Sequence, residues 1–199
     1  MELKQAIFLD RDGVLNVETS YITRPEQIVM AEGAARAVKA LNAAGWLVVV
    51  VTNQSAIARG FMDEAMLERI HARLLDLLNQ AQARIDRIYY SPFHPDAAVD
   101  AYRRDSDCRK PGPGLILRAA KELSISLDDS IMIGDSLTDI QAGINAGLRA
   151  NYLIRAGHGE KEIARLAADG YNLLPRPTQI FPDLLSAASF IIGTPLEKS

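Results

Sequence analysis

Two aspartates separated by one residue, Asp10 and Asp12, are the residues of this sequence best placed to do chemistry. They follow the apolar run 6–9, and Gly13 comes next, where the backbone can turn without steric penalty. Side chains at positions i and i+2 of a strand share a face, so both carboxylates are expected to leave the strand in one direction. Two such charges side by side raise one pKa or attract a cation. Because Asp-x-Asp also occurs in ordinary polar loops, the rest of the chain must decide whether this pair is functional.

The elements that must position this pair are predicted from the pattern of apolar residues. Apolar and often valine-rich runs predict strands at 6–9, 46–51, 85–90, 130–133, 150–154 and, in short form, 171–174. Helical spacing, aspartate caps and terminal glycines predict helices at 33–44, 63–83, 114–123, 137–146, 160–168 and 178–192. Strands that alternate with helices predict an α/β fold, a three-layer α/β/α Rossmann-like sandwich with a mainly parallel sheet. We interpret residues 1–199 as a single domain without a large cap.

Further polar residues are expected beside the aspartates because ligands of an open parallel sheet bind beyond the carboxyl ends of its strands. Thr52 and Asn53 end the second predicted strand, and Asp135 ends the fourth. Arg109 and Lys110 lie just before the helix at 114–123. The fold therefore predicts that acid, hydroxyl and basic groups meet at one edge of one sheet. The long segments 16–28 and 91–113 are predicted to be loops that border this edge.

Composition restricts the classes of protein to which the chain can belong. Of its 199 residues 48% are apolar and 24% are charged, which is typical of a globular domain with a substantial core. A net charge of −3 gives no basic surface for nucleic acid, and no apolar run approaches the length of a membrane span. The N-terminus lacks a signal-peptide pattern, and a single cysteine excludes an intrachain disulfide. We expect a cytoplasmic protein with no nucleic-acid or membrane partner.

Four motifs in order resemble the haloacid dehalogenase (HAD) superfamily of phosphohydrolases. They are Asp10-Arg11-Asp12-Gly13-Val14, Thr52-Asn53, Lys110 and Gly134-Asp135-Ser136-Leu137-Thr138-Asp139. Longer matches resemble the subfamily of heptose 1,7-bisphosphate 7-phosphatases and histidinol-phosphatases. These are Val50-Val51-Thr52-Asn53-Gln54-Ser55, Ile57-Ala58-Arg59-Gly60, Ile88-Tyr89-Tyr90 and Cys108-Arg109-Lys110-Pro111.

The resemblance implies a role for each catalytic carboxylate. Asp10 would attack phosphorus and form an aspartyl-phosphate. Asp12 would protonate the leaving oxygen and then activate water, a role that suits a carboxylate whose pKa is raised by an anionic neighbour and substrate. Mg²⁺ is the implied cofactor, with Asp10, Asp135 and the main-chain carbonyl of Asp12 as ligands.

The resemblance also implies a phosphate-binding set. Thr52 and Lys110 complete the catalytic residues, and the substrate-binding residues are predicted to be Thr52, Asn53, Gln54, Ser55, Arg109 and Lys110. Arg109 can hold a phosphate through two hydrogen bonds, including the second phosphate of a bisphosphate. Thr52 and Asn53 can also be turn formers, and Lys110 can be a solvated loop charge.

Two features leave alternatives open. Asp139 stands three residues after Ser136, as in a helix capping box, and we leave it out of the metal ligands. The related phosphatases usually hold the loop after the third strand with zinc, but the corresponding positions here are Ser91, Phe93, Ser106 and Cys108. These positions and the nearby His94 cannot supply four ligands, so we expect no structural Zn²⁺.

The leading hypothesis is a Mg²⁺-dependent phosphatase of a sugar phosphate, with heptose 1,7-bisphosphate as substrate and a role in making a lipopolysaccharide precursor. An alternative within the superfamily is a phosphatase of histidinol phosphate or another small phosphate ester. The alternative from another class is a phosphosugar-binding domain without catalysis. The expected partner is a small phosphate ester, and we expect a monomer.

Overall fold

A six-stranded parallel sheet forms the centre of the computed structural model, which describes residues 3–170, 175 and 177–197. Every strand pair is parallel, and the spatial order is β3-β2-β1-β4-β5-β6. The strands are β1 (Ala6–Leu9), β2 (Leu47–Asn53), β3 (Arg87–Ser91), β4 (Ile131–Gly134), β5 (Ala150–Ile154) and β6 (Gln179–Phe181). The predicted α/β sandwich with a parallel sheet is confirmed.

Helices connect the strands and cover both faces of the sheet. They are α1 (Ala34–Ala43), α2 (Ser55–Ala58), α3 (Glu64–Gln80), α4 (Gly114–Leu123), α5 (Leu137–Ala146), α6 (Gly159–Ala168) and α7 (Leu184–Ile192). Short 3₁₀ turns at Pro25–Gln27 and Asp100–Tyr102 lie within the two long loops. Among the helices of the described residues, none combines the length and apolar character needed to cross a membrane.

The side chains of β1 alternate between two apolar cores, as the period of a strand requires. Ile7 and Leu9 pack into the larger core with α1, α3 and α7, whereas Phe8 packs into the second core with α4 and α5. All four residues of β1 are fully buried. A strand buried on both faces fixes the position of whatever follows its last residue.

The register of the sheet brings three strand ends together. Leu9, the last residue of β1, lies beside Val50 of β2 and Ile133 of β4. Asp10 therefore emerges between the ends of the two neighbouring strands. This adjacency positions the candidate site.

The C-terminal segment differs from the prediction. Residues 179–181 form β6 against β5, and the last helix begins at Leu184, so the predicted helix at 178–192 is wrong in its first turn. Pro182 ends the strand, and the Asp183 side chain caps the helix by accepting from the Ser186 N–H. The predicted strand at 171–174 lies outside the described residues. The short helix α2, which follows β2 directly, was not predicted.

Candidate active site

A cavity of about 360 Å³ opens at the carboxyl ends of β1, β2 and β4. Most of the predicted site residues line it, namely Asp10, Asp12, Asn53, Gln54, Ser55, Arg109, Lys110 and Asp135. Thr52 is not among the described residues that line it. The first long loop contributes Glu18, Ser20, Tyr21 and Ile22, as expected for a loop that borders the site.

Three carboxylates form a tight cluster at the base of this cavity. Asp10, Asp135 and Asp139 each present an oxygen within 4.8 Å of the others, and Asp135 and Asp139 are almost completely buried. Burial and the neighbouring charges of Asp10 and Asp139 raise the pKa of Asp135 to about 8. Burial and Asp10 also raise the pKa of Asp139, to about 6, against the lowering effect of Lys110. Protein groups alone therefore do not balance the charge of this cluster.

Lys110 is the cation that the protein places against the cluster. Its ammonium nitrogen lies 2.9 Å from Asp10 Oδ1 and 2.5 Å from Asp139 Oδ1, and it donates to the Val51 carbonyl at 2.8 Å. Burial lowers the pKa of Lys110, but the two carboxylates outweigh burial and the net pKa is raised. Lys110 is thus a buried permanent charge in contact with the predicted nucleophile.

The side chain of Asn53 fixes the main chain that carries Lys110. Its amide nitrogen donates to the Lys110 carbonyl at 3.0 Å, and its oxygen accepts from the Lys110 N–H at 3.0 Å. The side chain that was predicted to hold phosphate therefore joins β2 to the Lys110 loop.

Asp12 belongs to a second polar network that Arg11 dominates. The Arg11 guanidinium is fully buried and lies 2.8 Å from Asp12 Oδ2. Gln54 joins both residues, because its oxygen accepts from Arg11 and its amide donates to Asp12 Oδ2, each at 3.0 Å. The same amide donates to the Thr52 hydroxyl at 3.0 Å, so Thr52 is a buried support of this network.

The expected direction of the Asp12 pKa shift is wrong for the free site. Burial raises the pKa of Asp12, but the charge and hydrogen bonds of Arg11, with further bonds from Asn16 and Gln54, lower it overall. The sequence reasoning counted only the neighbouring acids and gave Arg11 no role. The position of Arg11 between two acids was the signal that could have indicated this role.

Asp139 caps α5 and also lies in the acidic cluster. Its Oδ2 accepts from the Ser136 N–H at 3.1 Å, which completes the capping box of α5. Its Oδ1 faces Lys110 within the acidic cluster. A helix cap that is also part of a charged cluster could not be distinguished from a simple cap by spacing alone.

Two glycines from separate loops leave the space that the carboxylate of Asp135 occupies. A Cβ built at Gly13 or at Gly157 would lie 2.1 Å from Asp135 Oδ2. The His158 N–H donates to the same oxygen at 2.8 Å. Asp135 Oδ2 is therefore fixed in position by the protein.

Replacing Gly157 by alanine is expected to displace Asp135 and to weaken divalent-cation binding by about 10- to 100-fold, the range found when groups that orient a ligand are lost. Titration calorimetry with MgCl₂ measures the change. Gly147→Ala is the matched control, because Gly147 also has a positive φ but a Cβ there meets nothing within 4 Å. Equal cation affinity in Gly157→Ala and Gly147→Ala would show that a glycine at position 157 is not needed to position Asp135.

The positions that correspond to zinc ligands are occupied by groups that pack. Ser91 is fully buried, Phe93 lies 3.7 Å below the Arg104 guanidinium, and Cys108 is a partly buried free thiol. Among the described residues, the cluster of acidic, histidine and cysteine side chains with spacing for a metal is the one formed by Asp10, Asp135 and Asp139. The absence of structural zinc stays a prediction.

The chain is similar to known proteins along most of its length. A family model described as HAD-hydrolase-like matches residues 107–187. The chain is 43% identical over 145 residues to the D-glycero-beta-D-manno-heptose-1,7-bisphosphate 7-phosphatase of Rhodopseudomonas palustris, which covers 73% of this chain and 81% of that protein. It is 40% identical over 164 residues to the protein of the same name from Escherichia coli K12, with 82% and 86% covered.

The fold is shared with solved structures as well. The crystal structure of D,D-heptose 1,7-bisphosphate phosphatase from B. bronchiseptica, complexed with magnesium and phosphate, superposes with a TM-score of 0.83. That protein is 34% identical, and the match covers 95% of this chain and 98% of the other.

The parallel sheet, the aspartate at the end of β1 and the matched family model define a HAD-type phosphatase, a phosphoric monoester hydrolase. Within this class, the chain belongs to the family of the D-glycero-beta-D-manno-heptose-1,7-bisphosphate 7-phosphatases. The resemblance noted from the sequence motifs is confirmed.

Proposed function

We propose that this chain is a Mg²⁺-dependent phosphatase that removes the 7-phosphate of D-glycero-D-manno-heptose 1,7-bisphosphate through an aspartyl-phosphate on Asp10. The observation that carries the proposal is the contact of Asp10 with Lys110 inside the acidic cluster, at the base of a cavity that also presents Arg109. Relatives with 43% and 40% identity are named for this substrate.

The donor set of the cluster fits Mg²⁺. Oxygen ligands suit this ion, and Asp10, Asp135 and Asp139 each offer a carboxylate oxygen within 4.8 Å of the others. Four carboxyl groups (Asp10, Asp12, Asp135 and Asp139) lie around two permanent cations (Arg11 and Lys110), so the acidic groups outnumber the basic ones and a divalent cation would favour their ionised forms. We propose that Asp10, Asp135 and the Asp12 main-chain carbonyl hold the ion, with Asp139 beside them. When bound, it would stabilise charge on the phosphoryl oxygens.

The protein side chains account for each proton and bond of the proposed reaction. Asp10, in contact with Lys110, attacks phosphorus, and the bond from phosphorus to the sugar oxygen breaks. Asp12 gives its proton to that oxygen. Asp12 then takes a proton from water, whose oxygen attacks the phosphorus, and the bond to Asp10 breaks to release phosphate.

The lowered pKa of Asp12 in the free site agrees with these reaction steps because the bound substrate would raise it. The pKa of Asp12 is held down mainly by Arg11 against the effect of burial. A phosphate dianion beside Asp12 would raise that pKa, so the carboxyl would gain its proton when the ester binds.

Arg109 is the proposed ligand of the second phosphate. It is partly buried in the cavity wall and lies outside the acidic cluster. Burial lowers the pKa of Arg109, and the charge of nearby Arg59 lowers it further. Two arginines held close together favour an anion between or beside them.

Replacing Arg109 by methionine is expected to raise the KM for the bisphosphate by about 10- to 100-fold, because a buried charge pair with the second phosphate is lost. The KM for heptose 7-phosphate should change little, since this ester has no second phosphate. Steady-state phosphate release measures both constants. Arg84→Met, at an exposed arginine that pairs with Asp86 away from the cavity, is the control. An equal rise of KM for both esters would contradict the assignment.

A panel of esters tests the proposed substrate. Phosphate release is measured with heptose 1,7-bisphosphate, histidinol phosphate and other sugar phosphates, each with and without Mg²⁺. We expect the highest kcat/KM for the bisphosphate. A higher value for histidinol phosphate would favour the alternative phosphatase, and no release from any ester would favour a phosphosugar-binding domain.

We further propose that residues 1–199 form one HAD-like domain that acts as a monomer in the cytoplasm, without nucleic-acid or membrane partners. The continuous six-stranded sheet and the net charge of −3 support this proposal.

A further inference from the structure

The Glu64 carboxylate, which lies outside the catalytic cavity, connects α3, β3 and the loop 91–113 through hydrogen bonds. Glu64 lies in the first turn of α3, and its Oε2 accepts from the Tyr90 hydroxyl of β3 at 2.7 Å. Its Oε1 accepts from the Tyr102 hydroxyl, in the loop 91–113, at 2.9 Å. Both oxygens therefore accept a hydrogen bond from a tyrosine hydroxyl, one in the sheet and one in the loop.

The electrostatics of the two tyrosines agree with this geometry. Burial and the hydrogen bond to Glu64 raise the pKa of Tyr90, and the hydrogen bond to Glu64 is the main cause that raises the pKa of Tyr102. Each hydroxyl thus remains a donor at neutral pH. Hydrogen bonds to a charged acceptor are the stronger kind.

A short path of contacts leads from Tyr102 to Arg109. The Tyr102 carbonyl accepts from the His94 N–H at 3.1 Å, and the Phe93 ring lies 6.3 Å from the Tyr102 ring. The Phe93 carbonyl in turn accepts from Nη1 of Arg109 at 3.1 Å. Within the described part of the chain this is the single hydrogen bond of the Arg109 guanidinium. Its other N–H groups are available to a ligand in the cavity.

We infer that Glu64 is a positioning residue. It fixes the 91–113 loop through Tyr102, and the loop in turn orients the Arg109 guanidinium so that it can bind the second anionic group of the substrate. This inference rests on the proposed function. Glu64 does not line the catalytic cavity and belongs to a separate cavity of about 490 Å³. It would determine specificity for a bisphosphate without touching the substrate.

The test is a double-mutant cycle between Tyr102→Phe and Arg109→Met, measured by steady-state kinetics. Tyr102→Phe removes one hydroxyl and is expected to raise the KM for the bisphosphate by about three- to tenfold, with kcat unchanged. The KM for heptose 7-phosphate should not change. In the Arg109→Met background, Tyr102→Phe should have no further effect, because the group that it positions is already absent.

Tyr90→Phe is the matched control. It removes a hydroxyl from the same carboxylate, but β3 is held in the sheet by its pairing with β2. Its KM values should therefore equal those of the wild type. Glu64→Gln keeps the shape and should reproduce a part of the Tyr102→Phe effect. A rise of KM for both esters, or full additivity with Arg109→Met, would overturn the inference.

A second readout is independent of the heptose substrate. The ¹⁵N relaxation of the Arg109 Nε–Hε group reports how firmly the guanidinium is held. We expect greater mobility in Tyr102→Phe and Glu64→Gln than in Tyr90→Phe. Unchanged mobility in all three overturns the inference even if the bisphosphate is hydrolysed. If the mobility changes as expected but the bisphosphate is not hydrolysed, the proposed substrate is wrong and the positioning role of Glu64 stands.

Discussion

Asp10→Asn is expected to lower kcat by about 10⁴-fold or more while the fold is kept, because the amide cannot attack phosphorus. The substitution preserves the shape of a side chain that is 15% exposed. Lys110 keeps its contacts with Asp139 and the Val51 carbonyl. Phosphate release from the bisphosphate measures the loss, and circular dichroism checks the fold.

Asp129→Asn is the control for this substitution. Asp129 is exposed and accepts a hydrogen bond from the Ser126 hydroxyl, away from the cavity. The same chemical change there should leave kcat within twofold or so of the wild type. If Asp10→Asn kept a tenth of the wild-type kcat, Asp10 would not be the nucleophile.

Asp135→Asn is expected to have opposite effects on activity and on stability. Loss of groups that merely orient a metal ligand costs about 10- to 100-fold, so loss of a ligand should reduce the Mg²⁺-dependent rate by more than about 100-fold. In the metal-free protein, however, the variant should be more stable than the wild type. Burial and the charges of Asp10 and Asp139 raise the pKa of Asp135 to about 8 in the folded state, so its ionisation opposes folding.

The sign of this effect follows from linkage. A carboxyl whose pKa is raised on folding gives up stability as the pH rises from the unfolded value, 3.8, towards the folded value of about 8. The neutral asparagine removes that dependence. Thermal melts without metal should therefore show a higher Tm for Asp135→Asn at pH 7.5, with a smaller difference at pH 5.

The same melts with Mg²⁺ complete the test. The wild type should gain stability because the ion binds the folded state, and Asp135→Asn should gain little. A metal-free variant that melts below the wild type at pH 7.5, or one that gains as much as the wild type from Mg²⁺, would contradict the assigned role of Asp135.

The sequence predicted the fold and the location of the site because both depend on local patterns. The apolar runs and helix caps predicted the layers, and the parallel register then placed Asp10 beside the ends of β2 and β4. The start of the last helix was wrong, since Gln179–Phe181 form a strand only through pairing with β5. The amino-acid pattern of three residues does not reveal a strand that forms only through pairing with a distant segment.

The detailed geometry of the site depended on contacts between distant residues, which spacing does not reveal. Thr52 is a strand-end hydroxyl as predicted, but its partner is the buried Gln54 amide. Arg11 received no role from the spacing of the two acids, and the structure shows that it is the buried counter-charge of Asp12. Asp139 enters the acidic cluster from the first turn of α5, and it meets Lys110, which comes from a separate loop.

Trapping of the covalent intermediate tests the central claim most directly. The enzyme is mixed with Mg²⁺ and excess heptose bisphosphate, quenched within the first turnover, treated with borohydride and digested for mass spectrometry. An aspartyl-phosphate is reduced to homoserine, so we predict homoserine at position 10 in the wild type. Phosphate release with an unmodified Asp10, or homoserine at another aspartate, would contradict the account.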